Sequence, residues 1–271
     1  MLLTINRSKN DTQYSKIEPS HGDEVKAGKI SVDCSHFFLT DNIQHKIWSG
    51  SLSNMKADSL PYKINWLSPI TEFNNGSFAM KSLKANKSEV LLTKESLTSI
   101  IHNDTLLQKQ VDGFFCTDGS LLYSKSMSRL IYVYFYRNQF LVIDSNLNLQ
   151  YRGNTIDTFT HAHIRVAPIK SEHTLTLAEH PLIVNKKCSS TGNMLFILSD
   201  ITADNQNRLE SRDSSVFDVY DISTNKYKFS FELENWNGNK LTDFVVSNNI
   251  IYAIYDQYLI KYYVKPETFV D

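Results

Sequence analysis

Leu130-Ile131-Tyr132-Val133-Tyr134-Phe135-Tyr136, then Arg137-Asn138, then Gln139-Phe140-Leu141-Val142-Ile143, is the stretch that decides the fold. Two runs of β-branched and aromatic residues stand either side of a two-residue polar break, the pattern of a tight β-hairpin. Asp144 then stops the second run, because its short carboxylate accepts from backbone N–H groups two residues on and favours a turn through Ser145 and Asn146. The device returns at Val219-Tyr220-Asp221-Ile222-Ser223-Thr224-Asn225, where Asp221 precedes a turn and Lys226 to Leu233 reads as the next strand. Leu130 to Gln150, Ser215 to Glu232 and Asn249 to Val264 therefore share one design of strand, polar turn and strand, with no helical periodicity between strands. Small antiparallel sheets repeated along a chain predict an all-β fold, a β-propeller.

Working outward, the same template gives five approximate blades of four-stranded antiparallel type: Lys29 to Trp66, Pro69 to Val111, Ser120 to Gly153, Pro181 to Asn235 and Leu241 to Val264. At roughly 40 to 50 residues per blade, the 271 residues hold about five or six. The second blade is expected to turn at Asn74-Asn75-Gly76. The last is short by an outer strand. Leu2 to Asn6 is strand-like with no local partner of its own, so it is expected to pair near Tyr258 to Val264, closing the propeller with its N- and C-terminal strands and removing an open edge. One propeller domain over residues 1–271 is the economical reading.

Composition narrows the function classes. The 28 basic and 29 acidic residues leave a net charge of −1, so no basic footprint points to nucleic acid. The longest apolar run, around Tyr134, is far shorter than a membrane-spanning helix. Met1 to Ile5 is apolar but meets Asn6-Arg7-Ser8-Lys9 at once, too short for the apolar region of a secretory signal. That implies a cytoplasmic protein, or a periplasmic or membrane-anchored one whose N-terminus is shortened. Three cysteines, Cys34, Cys116 and Cys188, make no even framework, and all three are expected to be free thiols. The five Asn-x-Ser/Thr sequons at Asn6, Asn10, Asn75, Asn86 and Asn103 read as incidental in an Asn-rich chain.

The run from Leu130 to Phe140, its continuation Asp144 to Thr158, Pro181-Leu182-Ile183-Val184-Asn185 and Tyr255-Asp256-Gln257-Tyr258-Leu259 resemble the uncharacterised, TolB-like or six-bladed-propeller-like proteins of Bacteroidetes-type bacteria. The resemblance covers roughly Ser120 to Val264. It implies a propeller in an exported or membrane-anchored protein, and it supplies no catalytic residues to carry over.

The chain holds no Gly-x-Gly-x-x-Gly, P-loop, Gly-x-Ser-x-Gly, His-Glu-x-x-His, Cys-x-x-Cys or Trp-Asp motif. Three constellations still invite chemistry. His161 and His163, two apart, project to one face if they lie on a strand and would chelate a zinc-like ion if Glu172, His173 or His180 folds back; a solvated loop is the plain alternative. The insertion Ser199 to Ser214 gathers Asp200, Asp204, Asn205, Asn207 and Glu210, oxygen ligands suited to calcium, without EF-hand spacing. Asp33, Glu72, Asn185 and Asp243 fall near presumed first strands, where a propeller's channel would bring them to bind a cation or act as general base. Turn-forming carboxylates and amides are equally expected there for local reasons. Trp48, Trp66 and Trp236 are either core or a stacking face for sugars or peptides.

The sequence thus predicts a monomeric, non-enzymatic binding or interaction module that engages a protein or small ligand at a propeller mouth. No catalytic, cofactor or metal residue is assigned. The alternative is an extracytoplasmic hydrolase or lyase using channel carboxylates, with or without a metal.

Overall fold

A computed structural model describes residues 2–6, 11–33, 35–62, 66–73, 76–84, 89–169, 174–201 and 213–265. In chain order, β1 (Leu2–Asn6) pairs antiparallel with β2 (Asp11–Ser15). The first blade comprises β3 (Glu18–Pro19), β4 (Gly28–Asp33), β5 (His36–Asp41), β6 (Lys46–Ser51) and β7 (Lys56–Ser59), in the order β3-β7-β6-β5-β4 with β3 parallel to β7. The second has β8 (Trp66–Phe73), β9 (Ser77–Leu83), β10 (Val90–Glu95) and β11 (Ile100–Asn103). The third has β12 (Gly119–Ser124), β13 (Arg129–Tyr134), β14 (Gln139–Ile143) and β15 (Leu149–Asn154). A two-stranded excursion, β16 (Val166–Ile169) with β17 (Thr174–Leu177), precedes the fourth. That blade is β18 (Asn185–Thr191), β19 (Met194–Ser199), β20 (Ser214–Asp221) and β21 (Lys226–Glu234), and the fifth is β22 (Asp243–Ser247), β23 (Ile250–Tyr255) and β24 (Tyr258–Tyr263). The chain is an all-β, five-bladed β-propeller, as the hairpin repeat predicts.

One expectation is corrected. The N-terminal strand does not complete the fifth blade: Leu2 to Asn6 is registered against Asp11 to Ser15, and the fifth blade has three strands among the described residues. Closing a loop of a few residues costs far less entropy than recruiting a partner from the other end of the chain. The boundary at Trp66 also moves, since it opens β8 rather than ending the first blade.

Contacts group the chain into two compact units, residues 1–83 with 93–100, and residues 84–92 with 101–271. In the first, Phe37, Leu39, Trp48 and Ala57 pack together with Ile17, and Ile47 packs with Trp66, Phe78 and Met80. The indole N–H groups of the two buried tryptophans are satisfied, Trp48 donating to Asp23 at 3.1 Å and Trp66 to Asn42 at 2.8 Å. These two are core, whereas Trp236 is 40% exposed.

In the second unit the period of two is legible residue by residue. On β19, Leu195 and Ile197 face one way, onto Ile131, Val133, Phe140 and Val142 of the third blade. Met194, Phe196 and Leu198 face the other, onto Phe244, Val246, Ile251 and Tyr255 of the fifth. Covering both faces explains why these strands read as continuous apolar runs. Gly153, opposite Phe140 on β15, admits no side chain: an added Cβ would lie 2.2 Å from Phe140 Cζ.

The turns are built as the aspartates foretell. Asp144 Oδ1 accepts from Asn146 N and Asn148 N, both at 2.8 Å, and Asp221 Oδ1 from Ser223 N at 2.8 Å and Thr224 N at 3.3 Å. Asp41 repeats the motif. It accepts from Ile43 N (2.8 Å) and Gln44 N (3.0 Å) on one oxygen, and from Lys26 N (2.7 Å) and Ala27 N (3.2 Å) on the other. Burial alone would raise these three carboxyls, but their backbone and side-chain donors outweigh it and hold each below its ordinary range. Non-glycine residues supply left-handed backbone at these and other reversals, among them His45, Met55, Ser128, Leu147, Asn225 and Asp256.

Candidate ligand-binding site

The hairpin that decides the fold also builds the most developed site. Between β13 and β14 the chain passes through Phe135, Tyr136, Arg137 and Asn138, and each end of this connector is tied down. Phe135 O accepts from Val184 N (2.7 Å) and Asn185 N (3.1 Å), while Asn138 N donates to Phe159 O at 2.8 Å. Asn185 Nδ2 donates to Tyr134 O at 2.8 Å and Arg137 O at 3.0 Å. The opening residue of β18 therefore clamps the connector through its amide nitrogen, while its Oδ1 is buried without a partner among the described residues.

Arg137, only 1% exposed, lies with its guanidinium carbon 3.6 Å from the centroid of the Tyr134 ring, a stacked cation–π contact. Its Nη1 donates to Gln108 O at 3.0 Å. Its Nε and Nη2 are buried and meet no acceptor among the described residues. Tyr134 in turn fixes the segment that passes above: its hydroxyl donates to Leu106 O at 3.4 Å and accepts from Gln108 N at 3.3 Å. Arg152 Nη2 holds Leu106 O at 3.0 Å.

A cavity of about 450 Å³ opens over this floor, lined by Lys84, Glu89, Asp104, Thr105, Leu107, Gln108, Lys109, Gln110, Arg137 and Gln139. Charges at its rim are partly paired, Lys84 Nζ with Glu89 at 2.8 Å and Lys109 Nζ with Glu89 at 3.8 Å. The hydrogen bond and charge of Lys84 lower the Glu89 carboxyl, and Glu89 in return raises Lys84, so both stay ionised. Gln139 Oε1, like the Arg137 edge, is buried without a partner. Arg137 and Gln139 thus bring an unpaired donor pair and an unpaired acceptor, all three atoms buried, to the lining of one concavity.

The residues singled out from sequence fare unevenly. His161 and His163 are exposed in an irregular connection, not on a strand, so alternation does not align them. His161 Nδ1 lies 3.0 Å from Thr160 Oγ1, and His163 packs edge-on to Phe159. Their loop is nonetheless anchored beside the cavity, because Gln110 Nε2 donates to Thr160 O (2.9 Å) and Ala162 N to Gln110 Oε1 (2.8 Å). Glu172 and His173 lie outside the described residues, as do Asp204, Asn205, Asn207 and Glu210; His180 is exposed, and Asp200 is bound to Lys186 at 3.3 Å. Asp33 and Glu72 stand at the ends of β4 and β8, whereas Asn185 and Asp243 begin β18 and β22. The four thus hold inequivalent strand positions, and Asp243 pairs with Lys187 at 3.0 Å. No cluster of three or more His, Cys, Asp or Glu side chains with metal-binding geometry occurs among the described residues. Neither Cys116 nor Cys188 is disulfide-bonded, and Cys34 lies outside the described residues.

In the sequence Arg137 is only half of the polar break between two strands. Its one distinguishing signal is a basic residue at the tip of an otherwise apolar hairpin, and burial alone turns that into a site.

No protein-family model matches the chain, and no curated protein does. Among solved structures, a member of the DUF4221 family from Bacteroides vulgatus is similar with a TM-score of 0.56 at 10% identity, over 93% of this chain and 79% of that one. Virginiamycin B lyase from Staphylococcus aureus aligns at a TM-score of 0.46 and 12% identity, over 94% and 84% of the two chains. Hydrazine synthase of Kuenenia stuttgartiensis aligns at 0.47 and 11% identity; 81% of this chain spans about half, 52%, of that one. At 10% identity the likeness to the DUF4221 structure speaks for the fold alone, and activity has to be argued from the site.

Proposed function

We propose that this chain is a non-enzymatic binding module whose ligand seats in the cavity between the β13–β14 connector and the Asp104 to Gln110 segment. The observation that carries the reading is the preformed cavity of about 450 Å³, with a buried, incompletely satisfied Arg137 in its wall. Its lining offers charges and amides for orientation. Glu89, the carboxylate tied to both rim lysines, is held ionised, which suits a binding contact and not the raised pKa of a general acid. The alternative, a hydrolase or lyase working through channel carboxylates, has less support: Asp243 is paired with a lysine, and the Asn185 amide nitrogen is committed to backbone carbonyls.

Ligand-observed NMR against a library of small carboxylates, phosphates, sugars and short peptides tests the reading. Gln108 is exposed at the side chain and holds Arg137 through its carbonyl, so Gln108→Trp fills the cavity without removing that bond. Hits that vanish in Gln108→Trp support the module. A library with no hit sensitive to that substitution refutes it.

A further inference from the structure

A guanidinium presents two bidentate edges, and in Arg137 only one is in use. Nη1 is committed to Gln108 O, while Nε and Nη2, whose N–H bonds run parallel along the side of the plane, are the unpaired pair. That edge matches the two oxygens of a carboxylate. The cation has no carboxylate partner within salt-bridge distance among the described residues, and the Tyr134 face beneath it is not an anion. A charge kept out of water with two donors unmet is costly to leave so. Gln139, two residues on and in the lining of the same cavity, has an unmet acceptor, Oε1.

The charge of the cavity selects among anions. Lys84, Lys109 and Arg137 contribute three positive charges against Glu89 and Asp104, leaving one in excess. One excess charge complements a monoanion, and the two rim carboxylates disfavour a phosphate dianion. The orphaned acceptor asks for a donor close to the anionic group.

We propose that the cavity recognises a small carboxylate bearing a neighbouring hydroxyl or amino group. Its carboxylate bonds the Nε/Nη2 edge of Arg137, and its donor bonds Gln139 Oε1. Both protein groups are withdrawn from solvent, so side chains of the lining have to rotate as the ligand seats. The inference rests on the binding reading of the same cavity and gives it a ligand chemistry.

The test follows the Nε–H resonance of Arg137 in protein labelled with ¹⁵N-arginine, titrated with L-lactate, acetate, inorganic phosphate and sodium chloride at matched ionic strength. Saturable shifts with lactate and acetate, lactate the tighter, and none with chloride are expected. Gln139→Leu should abolish the preference for lactate over acetate. Arg137→Lys, which keeps the charge and loses the edge, should weaken lactate about tenfold; the wild-type titration stands by itself if that variant fails to fold. Equal responses to chloride, or a stronger one to phosphate, overturn the proposal. So does an unresponsive Arg137 signal, and if Gln108→Trp still removes library hits in that case, the binding module stands while its carboxylate chemistry falls.

Discussion

Asp41 is where a single substitution should do most damage to the first unit. The carboxylate is fully buried and accepts four backbone N–H bonds, two from its own turn and two from Lys26 and Ala27, with a fifth from Gln44 Nε2 at 3.2 Å. It thereby stitches the approach to β4 onto the β5–β6 turn. Bonds to a charged acceptor contribute about 1.5–3 kcal/mol each when measured singly, but four donors sharing one carboxylate do not add. The exposed backbone at Lys26, Ala27 and Ile43 is rehydrated once the acceptor is gone. Asp41→Ala should therefore cost about 2–4 kcal/mol, against about 1 kcal/mol for Asp144→Ala, whose two backbone bonds lie at the surface and resemble a helix cap in kind. Asp41→Asn keeps the oxygen that serves Ile43 and Gln44 but turns a donor toward Lys26 and Ala27, and should fall between. Because the folded carboxyl is held below its ordinary value, its contribution is complete above about pH 4 and is lost as pH falls through the folded value. The acid limb of the wild-type stability curve should accordingly be flatter in both variants. Urea melts of the Asp41 variants are followed by tryptophan fluorescence, which reads this unit through the buried Trp48 and Trp66, and those of Asp144→Ala, in the second unit, by far-UV circular dichroism. An Asp41→Ala protein no less stable than Asp144→Ala, or one with an unchanged acid limb, refutes the reasoning.

Asp218, buried on β20, has its carboxyl raised by burial, and Asp157 is raised by burial and by the charge of Asp218. The contribution of the protonated forms is present below about pH 4 and lost as pH rises through the folded values, so Asp218→Asn should raise the melting temperature at pH 8 and leave it nearly unchanged at pH 4; equal shifts at both would count against it. Gly153→Ala should lose about 1–3 kcal/mol in chemical denaturation, because its methyl collides with Phe140 and with Asn225 Oδ1 at 2.6 Å. Replacing His161 and His163 together by Ala should change stability by less than about 0.5 kcal/mol, and a chelator should leave the wild-type melting curve in place; a chelator-induced drop absent from the double mutant would reveal a metal site.

The repeat of strand and turn made the fold legible, since Val219 to Asn225 announces its reversal in the same chemistry as Ile143 to Asn148. Partnering of the terminal strand was not legible, because the period of two says which face a residue takes and nothing about which edge it joins. The site was hidden for a related reason. Arg137 in sequence is one polar break in a hairpin, and its significance depends on Leu106 to Gln110 crossing above it, a contact between segments about 30 residues apart that no local pattern encodes.

The left-handed turn residues bear on how the molecule folds in time. A hairpin seeded by Asn-Gly reverses early because its turn is already favourable in the unfolded chain. Here Ser128 and Asp256 occupy that conformation at exposed turns, and Leu147 does so while wholly buried. Such reversals cost roughly 1–2 kcal/mol per residue locally, so packing between strands has to form before the turns become worthwhile. The rate-limiting ensemble should accordingly contain the docked third and fourth blades with their hairpin tips still loose, and Ser128→Gly should speed refolding in stopped flow far more than it slows unfolding only if that order is reversed.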